Sequence, residues 1–241
     1  MWKKARLPAF LLPITISLGI DVFAQSSSNF DFTPVTQSML NDPNPQDWLM
    51  WRGGYENWGY SPLTEINRDN VDDLRLAWSW EFAPAAPGSN GMQVEPTVYD
   101  GVMYIRHSNE KYSAHHAANG DLIWEYSRPL ASEVTGYETR LTVHRGRGVF
   151  IYEDKLISHA TDGMLFALDP RDGSLIWEVA MQDFRSGQQP SGAPVAFNGS
   201  LVVPYNCTAW TAPDPCHLSA YSTEDGSVSY THLTLPTIYS V

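Results

Sequence analysis

Residues 114–124 read Ala114-His-His-Ala-Ala-Asn-Gly120-Asp-Leu-Ile-Trp124, and residues 167–177 read Ala167-Leu-Asp-Pro-Arg-Asp-Gly173-Ser-Leu-Ile-Trp177. A third copy begins Ala220-Tyr-Ser-Thr-Glu-Asp-Gly226-Ser-Val. The alanines stand at 114, 167 and 220 and the glycines at 120, 173 and 226, so both recur every 53 residues with no insertion. Asn119-Gly120, Asp172-Gly173 and Asp225-Gly226 are dipeptides that favour tight hairpin turns with positive φ. Apolar runs flank the turn, Leu165 to Leu168 before and Leu175 to Trp177 after, which is strand, turn, strand. Further turn-and-strand stretches begin at Asp100-Gly101 and at Asn198-Gly199. Each unit therefore holds about four short strands, the content of one β-propeller blade. The expected fold is all-β, a propeller with four-stranded blades. The Trp that closes each motif is expected to pack on the next blade, with the small Ala leaving room for it.

Composition agrees. The chain has 241 residues, 15 Lys+Arg against 27 Asp+Glu, and a formal charge of -12, which argues against nucleic acid as a partner. Its 43% hydrophobic content excludes a disordered chain, and two Cys exclude a disulfide-dense miniprotein. No Cys-x-x-Cys-His, His-Glu-x-x-His or Gly-x-Gly-x-x-Gly motif is present. His115-His116 suggests a metal pair, but neighbours on a strand face opposite ways, and a turn location is expected.

Residues 1–24 read as a secretory signal. Lys3, Lys4 and Arg6 precede the apolar stretch Leu7 to Ile20, and Val22-Phe23-Ala24 offers a cleavage site. The stretch falls short of the roughly 20 residues of a membrane span and contains Pro8 and Pro13. Export to a bacterial periplasm is expected, with no transmembrane span after cleavage. Residues 25–46, rich in Ser and Pro, read as a flexible lead-in.

The segment Asp47-Trp48-Leu49-Met50-Trp51-Arg52, then Tyr60-Ser61-Pro62-Leu63-Thr64-Glu65-Ile66-Asn67, then Asn70-Val71, Leu74 and Ala77-Trp78 resembles the opening of the quinoprotein alcohol dehydrogenases. These are eight-bladed propellers that bind pyrroloquinoline quinone (PQQ) and calcium. The Ala-x-Asp-x-x-x-Gly-x-x-x-Trp pattern resembles their tryptophan-docking motif. The resemblance implies docking roles for Trp78, Ala114, Gly120, Trp124, Ala167, Gly173 and Trp177. It also implies that 47–227 is a partial ring. Trp48, Trp51, Trp58, Trp78 and Trp80 are all expected in the core or between blades.

Cofactor contacts carry over only where the pattern matches. The family's cofactor-facing Glu falls on Gln93, with Glu95 nearby. Arg147-Gly148-Val149-Phe150-Ile151-Tyr152 resembles the segment whose Arg pairs with a PQQ carboxylate, and Arg145 stands two residues earlier. The family's cofactor-touching Thr falls on Ala160, which leaves Thr161 as a candidate. Val134 to Arg140 lacks the family's adjacent Cys pair. Val203-Pro-Tyr-Asn-Cys-Thr208 stands where a calcium-binding Glu is usual, with Asn206 and Thr208 as oxygen donors. The resemblance to a branch with a Cys…Cys loop here implies a local disulfide between Cys207 and Cys216; two free thiols are the alternative.

The family's chemistry implies an alcohol or related hydroxyl substrate, with electrons passed to a cytochrome c or the quinone pool. Calcium polarises a quinone carbonyl and an Asp accepts the alcohol proton. That Asp matches no position here, and Asp162 and Asp169 read as turn residues. The rival readings are a PQQ enzyme for sugars or polymeric alcohols and a non-catalytic propeller of the outer-membrane assembly type.

The repeat changes character after Ser227. Position 230 is Tyr where the register calls for Trp, and residues 228–241 resemble the translation of a sequencing adapter, not expected to continue the blade. The nucleotides encoding residues 228–237 are expected to match adapter sequence; reading them against the source DNA decides it, and a clear mismatch refutes the idea.

Overall fold

The computed structural model describes residues 31–81, 94–107, 110–130, 147–183, 188–190, 192–207 and 217–233. Among these, three antiparallel sheets follow one another along the chain, each built in simple sequence order. Strands β1 (Thr97–Tyr99), β2 (Val102–Arg106), β3 (Lys111–His116) and β4 (Leu122–Ser127) form the first blade. Strands β5 (Phe150–Tyr152), β6 (Lys155–His159), β7 (Met164–Leu168) and β8 (Leu175–Ala180) form the second. The third contains β10 (Val195–Phe197), β11 (Ser200–Cys207), β12 (His217–Ser222) and β13 (Val228–Leu233), and β9 (Gln188–Pro190) pairs with the end of β11.

The 53-residue period is visible in the hydrogen-bond register. Ala114 faces Trp124, Ala167 faces Trp177 and Ala220 faces Tyr230, and each sheet has an irregularity just after that Ala. The turns that follow carry Gly120, Gly173 and Gly226 at φ 78°, 75° and 73°. The hairpins at Asp100-Gly101 and Asn198-Gly199 have positive φ at both residues, the form whose twist suits a two-residue connection.

Each tryptophan docks on the blade that follows it. Trp78 lies against Gly120, Trp124 against Gly173 and Trp177 against Gly226. A Cβ on Gly173 would stand 2.5 Å from Trp124 Cε3. The indole N–H groups donate to Ala117 O (2.9 Å), Pro170 O (2.9 Å) and Thr223 O (3.3 Å), acceptors that are themselves 53 residues apart. The room is therefore made by the next blade's Gly; the Ala instead sits across the ladder from its own blade's Trp.

Four expectations need correction. Residues 228–233 do continue the blade as β13, because strand pairing uses the backbone and an alternating Val-Ser-Tyr-Thr stretch supports it. Tyr230 then lies 59% exposed at the Trp position. His115 and His116 end strand β3 rather than a turn, His115 buried and His116 exposed. The described part of the lead-in is ordered and packed. Val35 pairs with Glu153, helix α1 (Gln37–Asn41) is capped by Thr36, and Val35 and Leu40 are buried. Finally, Trp58 is 72% exposed and Trp80 38% exposed, although Trp80 meets His115 edge-on. Both belong to the stretch 58–81, which forms no strand and leaves Leu74 and Leu76 exposed as well.

The segment from Val35 to Tyr55 spans all three blades along their first strands. Trp48 exchanges both backbone hydrogen bonds with Val98 in β1, Val35 does so with Glu153 just after β5, and Tyr55 donates to Ala196 O in β10 (2.5 Å).

Substituting Gly173 by Ala is expected to destabilise the full-length gene product by about 2–4 kcal/mol, from positive φ and overpacking against Trp124. Urea unfolding of the two proteins checks it. An unchanged midpoint would contradict the docking geometry.

Candidate functional site

The entries to the first strands converge. Glu95, two residues before β1, forms a parallel bridge with Gly148, two residues before β5. A Cβ on Gly148, whose φ is 115°, would stand 2.6 Å from Glu95 O, so only glycine permits this approach. Arg147 is thereby held at the rim of a cavity of about 580 Å³ lined by Met50 to Asn57 on one side and Gly192 to Val195 on the other. Its guanidinium carbon stands 5.2 Å from the centre of the Trp51 ring, a cation–π contact. Among the described residues Arg147 faces no carboxylate.

Glu95 is spent on the opposite wall. Its carboxylate accepts from Trp48 Nε1 (2.5 Å) and from the Arg52 backbone N–H (3.1 Å), which fastens the stretch that carries Trp51. The Arg52 guanidinium donates to Asn57 O (2.9 Å) and Trp58 O (3.4 Å), closing the loop on itself. Thr161 gives both its N–H (3.0 Å) and its hydroxyl (2.5 Å) to Glu110 Oε1. The structure thus brings Arg147 and Trp51 together and turns Glu95 and Thr161 to internal bonds. Gln93, Arg145, Cys216 and Thr208 lie outside the described residues, as do residues 1–30, which include the signal sequence. Asp162 stands in a turn and Asp169 directly before the next one, and Asp162 also pairs with Arg128 (2.5 Å).

Sequence reasoning missed a buried polar cluster between the first two blades. Glu110, 2% exposed, also accepts from Arg106 (3.0 Å) and from Tyr112 OH (2.9 Å). Burial pushes its carboxyl up, but the Arg106 charge and the bonds from Thr161 and Tyr112 outweigh that and hold it below the usual range. The signal was available as charged residues, Arg106 and Glu110, flanking otherwise strand-like sequence. Nearby, His159 Nε2 bonds Gly192 O (2.9 Å), and burial, reinforced by the Arg106 charge, lowers its pKa to about 4. His107 is lowered to about 4 as well, chiefly by burial.

The profile of the glucose/ethanol/alcohol dehydrogenase family with a PQQ β-propeller domain matches residues 48–184. The chain belongs to this family. It is 30% identical to the dehydrogenase subunit of a quinone-dependent alcohol dehydrogenase from Gluconobacter oxydans, over 97% of this chain and 30% of the relative. The solved quinohemoprotein alcohol dehydrogenase of Comamonas testosteroni superposes with a TM-score of 0.62 at 30% identity, covering 79% of this chain and 28% of that one. One from Pseudomonas putida does so with a TM-score of 0.71 at 28% identity, covering 86% and 30%. The chain therefore spans about a third of the length of these relatives. This also makes it part of a PQQ-type β-propeller: the repeat predicted the propeller, and the resemblance of the docking motif and of the segment from Asp47 to Trp78 predicted the PQQ type.

Because the folded protein holds His159 neutral and the unfolded chain does not, stability is full above pH 6.5 and falls as pH drops from 6.5 to about 4. The loss from this residue is on the order of 3 kcal/mol. Thermal unfolding across that range is expected to show a shallower decline for His159→Gln than for the wild type.

Proposed function

We propose that this chain supplies one part of the cofactor cradle in a PQQ-dependent dehydrogenase that oxidises alcohols or related hydroxyl substrates after export to the periplasm. The observation that carries this reading is Arg147, a guanidinium without a carboxylate partner among the described residues, at the rim of a cavity beside the Trp51 ring. The cavity lies within the range common for small-molecule sites. A planar, polyanionic quinone suits it, because an Arg fork binds a carboxylate in two places and an indole offers a flat apolar surface.

When bound, PQQ supplies the quinone that takes up the electrons of the alcohol. This chain's residues bind and orient. Arg147 neutralises a carboxylate, Trp51 bounds the cavity, and Gly148 lets the backbone approach Glu95. Gln93 is proposed as a neutral hydrogen-bonding partner for the cofactor. Calcium is a different matter. It needs several oxygen donors, and among the described residues no group of three or more His, Cys, Asp or Glu side chains converges. Val203 to Thr208 brings no carboxylate either. The calcium donors and the proton acceptor are therefore assigned to no side chain described here. A cytochrome c or the quinone pool is the proposed electron acceptor. No helix among the described residues is long and apolar enough to cross a membrane.

The full-length gene product, reconstituted with PQQ and calcium, is expected to reduce an artificial dye in the presence of alcohols. Arg147→Gln is expected to weaken PQQ binding about ten- to a hundredfold, the loss of one charge-assisted pair, with Arg147→Lys in between. Equilibrium titration of the apoprotein measures both. If the wild type takes up no PQQ, the non-catalytic reading replaces this one.

A further inference from the structure

The two walls of the Arg147 cavity are fastened by different bonds. Glu95 fastens Met50 to Asn57 through Trp48 and Arg52. The Gly192–Val195 wall belongs to the third blade, and the second blade reaches the carbonyl of Gly192 through His159. This residue ends β6, is 2% exposed, and bonds the carbonyl of Gly192 at 2.9 Å. A carbonyl only accepts, so Nε2 carries the proton. Gly192 has little freedom on its other side, since a Cβ there would stand 2.7 Å from Pro204 Cγ. His159 does not itself line the cavity.

The residue is held in turn by the first blade. After His159 the chain turns through Ala160 to Gly163, closed by Gly163 N–H to Ala160 O at 3.1 Å. Thr161 in that turn gives both its donors to Glu110. Glu110 is itself fixed by Arg106 and Tyr112. The bonds run from blade to blade: Glu110 to Thr161, then His159 to Gly192.

We propose that His159 is a positioning residue that sets the Gly192–Val195 wall of the cavity opposite Trp51, with Glu110 fixing the turn from which it acts. The proposal rests on the reading that the cavity takes PQQ. A side chain at this position must reach across a blade boundary and donate one hydrogen bond without bringing a charge beside Arg106. Neutral histidine does this; phenylalanine fills the space without the donor, and asparagine carries a donor but falls short.

The test uses the full-length gene product with His159→Phe, His159→Asn and His159→Gln. Amide hydrogen exchange over residues 192–197 is measured in the apoprotein, and PQQ affinity by equilibrium titration. His159→Phe and His159→Asn are expected to speed exchange in that segment and weaken PQQ binding about tenfold, the loss of one buried hydrogen bond. His159→Gln, which keeps a donor of similar reach, is expected to restore both to within about threefold of the wild type. Unchanged exchange and affinity in the variants that fold would overturn the proposal, as would a lowered melting temperature with no change at 192–197. If the wild type binds no PQQ, the functional reading fails while exchange at 192–197 still decides the role of His159.

Discussion

The structure depends on one contact made repeatedly: an indole laid on the glycine of the next blade. The face of the ring needs a residue with no Cβ, and the turn needs positive φ; glycine meets both demands at Gly120, Gly173 and Gly226. The indole N–H then finds a carbonyl three residues before that glycine. A buried N–H must be satisfied, so the bond fixes the ring's rotation as well as its depth. The first two blades each present both halves of the contact, whereas the third presents the glycine and carries Tyr230 at the indole position. Further blade-to-blade contacts, among them Glu95–Gly148, Glu110–Thr161, Arg128–Asp162 and His159–Gly192, are made in the same register.

The candidate site is a by-product of that register. Stacked blades bring the starts of their first strands together, and whatever residues stand there face one another. At these entries the chain places Glu95, Arg147 and Gly192, contributed by three different blades. The segment from Val35 to Tyr55 runs along the first strands, using backbone pairing at Val35 and Trp48 and a tyrosine hydroxyl at Ala196. A cavity wall made of one continuous segment and one made of strand entries have different supports. That difference explains why Glu95 is committed to Trp48 and Arg52 while Arg147 remains turned to the cavity.

The blade period was fully legible, because glycine, alanine and tryptophan at fixed spacing are identities rather than averages. Arg147 was singled out only through the resemblance of its Arg-Gly-x-x-x-Tyr segment; the structure adds that the glycine after it permits the close approach to Glu95. Trp58 was misread because composition suggests that tryptophan packs, whereas its burial depends on partners outside its own segment; at 72% exposure it has few. Residues 31–46 were misread for the opposite reason. Ser and Pro suggested mobility, yet buried Val35 and Leu40, with bonds from Tyr99 to Thr33 and from Asn198 to Gln37, seat the stretch on the first strands. The tail after Ser227 shows a third limit: loss of the motif tryptophan does not prevent strand pairing, because the ladder is made by backbone groups. Of the Glu110 cluster, the charges at Arg106 and Glu110 were legible, but the contact with Thr161 was not, because it lies 51 residues away and is made only across a blade boundary.

The departures from the family pattern fall on one kind of position. Gln replaces Glu at 93, Ala stands at 160 where a Thr is usual, and Val203 to Thr208 has no carboxylate. On the family resemblance, each is the loss of a polar or anionic group on the expected cofactor side, with the cation Arg147 kept. The charge the chain does bury, on Arg106 and Glu110, is paired within itself and directed to neighbouring loops. An isolated buried carboxylate would be costly, whereas one that accepts from Arg106, Tyr112 and Thr161 is well compensated. Of the two arginines lining the cavity, Arg52 donates to backbone carbonyls of its own loop, while Arg147 has no carboxylate partner among the described residues. On the proposed reading, specificity for an anionic ligand rests on the Arg147 charge and on the frame that holds it.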